Sequence, residues 1–310
     1  MLENVDRRDG RVYEFGQENG DPLRLAVSVA LATSRPLLLR GDPGVGKSSI
    51  AAFIARQRNW RYYEHEVTAR TEVTDLLWTF DSVRKLGDAT MLASRGTDAE
   101  LDDHDYVEPR QLWWAFNKHG ASYRGAASKP KRPAAEPLAD LNKNRSADGA
   151  VVLIDEIDKA DPDVPNALLV PLGSRQFEVA ETGDTITQQA PHVLVIITTN
   201  EERELPAAFL RRCVPYVVPP PNAEHLRRIA AAHAALRERR LSQADLRLIA
   251  EIATMTENLQ AAAKDLRSRA PGVAEFLDAV WAALELGITV TDDRWRYVKR
   301  MTIAKDERLP

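Results

Sequence analysis

The stretch RGDPGVGKSS, residues 40–49, brings together residue types that can cradle phosphate. Gly41, Asp42, Pro43, Gly44, Val45, Gly46, Lys47 and Ser48 fit the spacing G-x-x-x-x-G-K-[ST], and Ser49 leads into an apolar segment. The glycines let the loop wrap so that backbone N–H groups and a following helix N-terminus point inward at an anion. Lys47 adds a point charge, and the Ser48 hydroxyl is a ligand for Mg²⁺. Such a site needs a carboxylate at the end of a neighbouring strand, and VVLIDEID at 151–158 supplies Asp155 and Glu156 after four apolar residues. Asp155 is expected to hold the metal, through water or with the Ser48 hydroxyl. Glu156 is expected to orient and deprotonate an attacking water, a role worth about 10²–10⁴ in rate. Read singly, the first motif could be a glycine-rich turn and the second an acidic helix cap; their joint occurrence favours the phosphate site.

These motifs need elements to position them. PLLLR at 36–40 is a short apolar run bounded by Pro and Gly, RYYEHEV at 61–67 has the character of a second strand, and GKSSIAAFIARQRN between them is helical. DPLRLAVSVALATS at 21–34 predicts a leading helix with Asp21 as N-cap. VVLID at 151–155 and VLVIITT at 193–199 lack alternation and are rich in Val and Ile, as parallel strands buried on both faces are. This order predicts a doubly wound α/β domain over residues 1–221. Within it, 74–86 and 109–120 read as helices joined by an acidic stretch, with Trp78, Trp113 and Trp114 as core residues. Residues 122–149, rich in Pro, Ala, Lys and Arg and without periodicity, predict a mobile surface insert. RQFEVAETGDTITQ at 175–188 predicts a hairpin around ETGD. After the proline cluster near 220 the pattern turns helical, which predicts a separate α-helical domain over 222–310.

Composition narrows the function classes. The net charge of −4 gives no global pull toward nucleic acid or anionic membrane, and no apolar stretch approaches the ~18 residues of a membrane span. The first residues lack the apolar core of a signal peptide, which places the expected compartment in the cytoplasm. Cys213 is the one cysteine, which excludes an internal disulfide and cysteine-rich zinc sites; beside two arginines it reads as a small buried residue rather than an activated thiol. The tract Lys129-Pro130-Lys131-Arg132 has no adjacent aromatics and reads as a solvated insert, so nucleic acid is not the favoured partner. The acidic run 98–105 reads as solvent-facing, with the character of a docking surface.

Over most of its length the chain resembles an AAA+ ATPase, and in detail the MoxR branch. The resemblance implies a P-loop NTPase core with a parallel sheet, followed by a smaller α-helical lid, with ATP and Mg²⁺ as cofactors. VIITTN places Asn200 at a strand end, where the family carries the polar sensor 1 that positions the lytic water. ELPAAFLRRC resembles the segment before the arginine finger; the usual Asp-Arg-Phe ending is Arg211-Arg212-Cys213 here, so Arg212 matches the finger and Arg211 is a second candidate. A finger acts on a neighbouring subunit's nucleotide and is worth about 10³–10⁵ in rate. RSRAPGVAEFLDAV resembles the start of the lid helix, where a basic residue precedes Pro-Ser-Thr-x-Glu; the Ser-Thr is Gly272-Val273 here, Arg269 matches sensor 2 and Arg267 is the alternative. The implied function is ATP hydrolysis by a homo-oligomeric ring, a hexamer, that remodels or activates a protein partner, with von Willebrand factor A domain proteins as the family's usual partners. Two other readings stand beside it: a slow-turnover, ATP-gated switch or scaffold in a signalling or defence assembly, and a nucleic-acid motor.

Overall fold

A computed structural model describes residues 22–96, 100–128, 130, 132–266 and 268–305. In chain order the first half holds α1 (Pro22–Thr33), β1 (Leu37–Arg40), α2 (Lys47–Gln57), β2 (Trp60–Glu66), α3 (Thr74–Leu77), β3 (Trp78–Phe80), α4 (Ser82–Ser94), β4 (Val107–Pro109), α5 (Gln111–Phe116), α6 (Lys118–Ser122), α7 (Ala139–Asn142) and β5 (Ser146–Asp155). The second half holds α8 (Asp163–Ser174), β6 (Gln176–Val179), β7 (Asp184–Thr187), β8 (His192–Thr199), α9 (Ala207–Leu210), β9 (Val214–Val217), α10 (Ala223–Leu236), α11 (Gln243–Leu266), α12 (Val273–Leu286) and α13 (Trp295–Met301).

A five-stranded sheet runs in the order β2-β5-β8-β1-β9, with β2 parallel to β5 and β5 parallel to β8. The apolar runs predicted as buried strands form it: Ala150–Ile154 and Leu194–Ile197 are buried along their whole length, because helices cover both faces of a parallel sheet. Contacts divide the chain into two compact units that do not follow a single cut near residue 222. One comprises residues 24–38 and 54–215. Its core packs sheet residues such as Tyr63, Val152 and Ile197 with Trp113, Trp114 and Phe116. Trp78 stacks on Phe177 and Trp113 meets the same ring edge-on, each pair at 5.7 Å, so the expected tryptophan core is present. The other unit comprises, among the described residues, 22–23, 39–53 and 216–305, and its core is built from α10–α13, with Leu226, Ile252, Phe276 and Trp295 at its centre.

Three local expectations change. The helix predicted over 74–86 is cut into α3, β3 and α4, because Trp78–Phe80 pairs antiparallel with Val107–Pro109 and Asp81 then accepts the Arg84 N–H as a new N-cap. The helix predicted over 109–120 breaks at Asn117, whose side chain caps the next turn through the Gly120 N–H. The insert at 122–149, expected to be mobile, is pinned in its described residues. Asn142, 1% exposed, donates to the Tyr62 carbonyl at 3.0 Å and accepts its N–H at 2.8 Å, satisfying the open edge of β2 as another strand would. Arg124, 4% exposed, pairs with Glu108 at 2.9 Å. The hairpin expected around ETGD forms as β6 and β7.

Candidate functional site

The glycine-rich loop belongs to the unit that contains the helical region. Gly41, Gly44 and Gly46 take φ of +140°, +80° and +95°, values that an L side chain rarely adopts. A Cβ on Gly41 would also stand 2.8 Å from the Val218 carbonyl oxygen, so the spacing of glycines is required by conformation and by room. α2 begins at Lys47, directing its first N–H groups back toward the loop. Lys47 is 6% exposed, and its Nζ donates to the carbonyls of Gly41 at 2.6 Å and Asp42 at 2.9 Å. Val45 is buried, while Pro43, Ser48 and Ser49 are part-exposed.

The same unit brings the start of α12 onto this loop. The Val273 N–H donates to the Gly44 carbonyl at 2.8 Å. A Cβ on Gly272 would lie 2.9 Å from Gly44 Cα, so the replacement of Ser-Thr by Gly272-Val273 follows from a backbone-to-backbone approach. Glu275 accepts the Gly272 N–H at 3.1 Å and an Arg269 Nη2 bond at 3.1 Å, which ties Arg269 to the residue that caps α12. Arg267, the alternative to Arg269, lies outside the described residues, as do Lys129 and Lys131 of the basic tract.

The acidic motif is built in the other unit, where the ends of β5 and β8 meet. β5 ends at Asp155 and β8 at Thr199. The Thr198 hydroxyl donates to Asp155 Oδ1 at 2.5 Å and accepts the Glu156 N–H at 2.8 Å. Glu156 has φ +60°, in the left-handed region where a non-glycine residue costs about 1–3 kcal/mol and persists only if its surroundings hold it. Its side chain is held as well: Oε1 accepts from Asn200 Nδ2 at 3.2 Å and Oε2 pairs with Lys159. Asp158, 3% exposed, accepts the N–H groups of Asn200 at 3.2 Å and Glu202 at 3.0 Å through Oδ2. The structure thus joins Asp155, Glu156 and Asn200 and shows three further residues that sequence reasoning missed: Thr198, Asp158 and Lys159. The hydrogen bond to Glu156 raises the Lys159 ammonium above its ordinary value; desolvation opposes it, and the charges of Glu156, Glu66 and Glu202 add to the rise.

Arg211 and Arg212 follow α9 and are both exposed, and the Arg211 Nε donates to the Ala207 carbonyl at 3.3 Å. Exposure at a helix end is compatible with reaching another chain. Cys213 beside them is buried, and burial pushes its thiol up to about 12 against a small opposing effect of Arg35, so it is a packing residue. In the acidic run, Asp103 pairs with Lys85, and His104 bridges Asp102 at 2.6 Å and Asp184 of β7 at 2.7 Å. Among the described residues no helix is long and apolar enough to cross a membrane.

The family described as AAA domain (dynein-related subfamily) matches residues 36–213, more than half of the chain. Among solved structures, the RuvB Holliday junction branch migration motor of Thermotoga maritima is similar at 18% identity and a TM-score of 0.43, over 92% of this chain and 73% of that one. Domain III of the replication initiation protein DnaA from Thermotoga maritima is similar at 13% identity and a TM-score of 0.42, over 94% of this chain and 95% of that one. No curated protein sequence matches the chain.

Proposed function

Because this chain belongs to the AAA domain family, in its dynein-related subfamily, we propose that it is an ATPase of the MoxR type that hydrolyses ATP as a ring-forming homo-oligomer and remodels or activates a protein partner. The observation that carries the reading is the Glu156 carboxylate bonded to Asn200 beside Asp155, on two strand ends laced together by Thr198 and Asp158. A base and a water-positioning amide in contact are two of the parts that phosphoanhydride hydrolysis draws from a protein. The loop from Gly41 to Ser49 fits a phosphate: its glycines take the conformations a wrapped loop demands, and Lys47 and the first turn of α2 supply charge and N–H groups.

In this reading Lys47 holds the terminal phosphates, and Ser48 and Asp155 hold Mg²⁺, which when bound neutralises charge on the phosphate oxygens. Asn200 orients the attacking water and Glu156 accepts its proton. Arg212, or Arg211 beside it, reaches the nucleotide of the next copy, and Arg269 reports on the nucleotide from the lid. The proposed organisation is an α/β nucleotide-binding domain over 1–221 and a lid over 222–310, assembled as a cytoplasmic hexamer whose partner carries a von Willebrand factor A domain.

ATP turnover across a protein dilution series tests this. The rate per chain is expected to rise with concentration as the oligomer forms, and Glu156→Gln and Arg212→Ala are expected to lose at least about 100-fold while still binding ATP. A rate per chain independent of concentration, with Arg212→Ala unaffected, overturns the ring with a trans-acting arginine. ATP binding with negligible turnover at every concentration favours the ATP-gated switch, a reading supported by the engagement of Glu156 with Lys159.

A further inference from the structure

Glu156, assigned above to receive a proton, has both carboxylate oxygens engaged. Oε1 accepts from Asn200 Nδ2 at 3.2 Å, and Oε2 pairs with the Lys159 ammonium. The contact with Asn200 suits a shared water, since an amide and a carboxylate can both orient one molecule. The contact with Lys159 has the opposite effect: a cation held on Oε2 occupies the lone pair that would take the proton and fixes the side chain away from a free search for water.

The local backbone makes this pairing automatic. Glu156 is turned by its left-handed φ into the 3₁₀ turn Ile157–Lys159, the Lys159 N–H donates to the Glu156 carbonyl at 3.0 Å, and the two side chains emerge on the same side three residues apart. Both remain reachable, at 42% exposure for the Lys159 side chain and 27% for Glu156. Lys159 also has alternative carboxylates within electrostatic reach: Glu66 at the end of β2 and Glu202, whose own N–H is fixed by Asp158. The ammonium can therefore leave Glu156 without being stranded, which separates it from a buried pair whose breakage would unfold the turn.

We propose that Lys159 is a positioning residue that restrains Glu156 and sets the basal turnover of the enzyme, and that transfer of its ammonium to Glu66 or Glu202 frees the Glu156 carboxylate. The proposal rests on the ATPase reading. It gives the slow and fast versions of that reading one structural variable, the acceptor of Lys159. A partner that activates the enzyme would act here by presenting an acidic group or by shifting the loop that carries Glu202.

The test compares wild type, Lys159→Met and Lys159→Arg, each alone and combined with Glu156→Gln, for steady-state ATP turnover and for ATP binding. A half-exposed ion pair of this kind weighs about two- to fivefold in an equilibrium, so Lys159→Met is expected to raise kcat about two- to fivefold with KM little changed. Lys159→Arg, which keeps the charge, gives less of that rise, and no rise survives in the Glu156→Gln background. A readout independent of turnover is the Lys159 Nζ resonance in nucleotide-free protein, which is expected to move on Glu156→Gln. If wild type turns over in a Glu156-dependent way but Lys159→Met is equal or slower, or if the resonance does not move, the restraint is wrong and the ATPase reading stands. If every variant binds ATP and none hydrolyses it, the ATPase reading falls and the restraint falls with it.

Discussion

Replacing Thr198 by Val removes one oxygen while keeping the shape of the side chain, so its cost isolates what that oxygen does. The hydroxyl donates to a carboxylate, Asp155, and accepts a backbone N–H, that of Glu156, at a position only 1% exposed. A hydrogen bond to a charged group is worth about 1.5–3 kcal/mol, and a buried N–H left without an acceptor costs about 1–3 kcal/mol. The two losses overlap, because Asp155 and the Glu156 amide are neighbours, so the expected destabilisation of Thr198→Val is about 2–4 kcal/mol rather than the full sum. The Glu156 backbone adds a reason to expect the upper part of that range: its φ of +60° is unfavourable, and the bond to Thr198 is one of the contacts that keep it there. Urea denaturation of nucleotide-free protein measures the change. Thr198→Ser keeps the hydroxyl and loses one buried methyl, so it should cost about 1 kcal/mol. If Val is tolerated within about 0.5 kcal/mol, the hydroxyl does not hold the two strand ends together, and the account of how Asp155 and Glu156 are positioned is wrong.

Two further outcomes follow from other contacts. Gly272→Ala places a Cβ 2.9 Å from Gly44 Cα and 3.0 Å from its carbonyl oxygen, backbone atoms that cannot rotate aside, and it should lower stability by about 1–3 kcal/mol in thermal denaturation. Because Gly272 itself has an ordinary φ of −93°, a tolerated alanine would show that the loop and α12 do not approach as closely as described. His104 should make stability depend on pH: burial pulls its pKa down, but hydrogen bonds to Asp102 and Asp184 and their charges outweigh it and hold the imidazolium above 6.5. A raised folded value means that its contribution is complete below the unfolded pKa and is lost as pH rises through the folded one. The stability difference between wild type and His104→Gln should therefore be largest in mildly acidic solution and shrink toward pH 8; a difference that grows with pH contradicts the bridging geometry.

How much of this was legible in the sequence depends on how far each feature reaches along the chain. The phosphate loop was legible because its requirements are local: three glycines with positive φ, then Lys and Ser at the first turn of a helix, all within one short stretch. The buried strands were legible for the same reason, since Val and Ile runs without alternation describe their own environment. The helix predicted over 74–86 failed where a distant partner decided the outcome: Trp78–Phe80 gives up helical bonding to pair with Val107–Pro109, a gain that no window around residue 78 contains. The insert at 122–149 failed likewise, because Asn142 earns its place through both backbone groups of Tyr62, eighty residues earlier.

The candidate site divides along the same line. Asp155, Glu156 and Asn200 carry residue types that chemistry demands at strand ends, so their types could be read. Thr198 and Asp158 act through groups that become neighbours only once β5 and β8 lie side by side, whereas Lys159 meets Glu156 within its own turn; a Thr, an Asp or a Lys in a polar turn has no signature of either role. Gly272 shows the converse. In the sequence it is a departure from the Ser of the resembled segment and weakens the match; in the structure it answers Gly44, since a Cβ on Gly272 would lie 2.9 Å from Gly44 Cα and one on Gly44 only 3.3 Å from Gly272 Cα. A departure at one glycine is thus explained by a second glycine more than two hundred residues away, and substitutions at the two positions should be judged together.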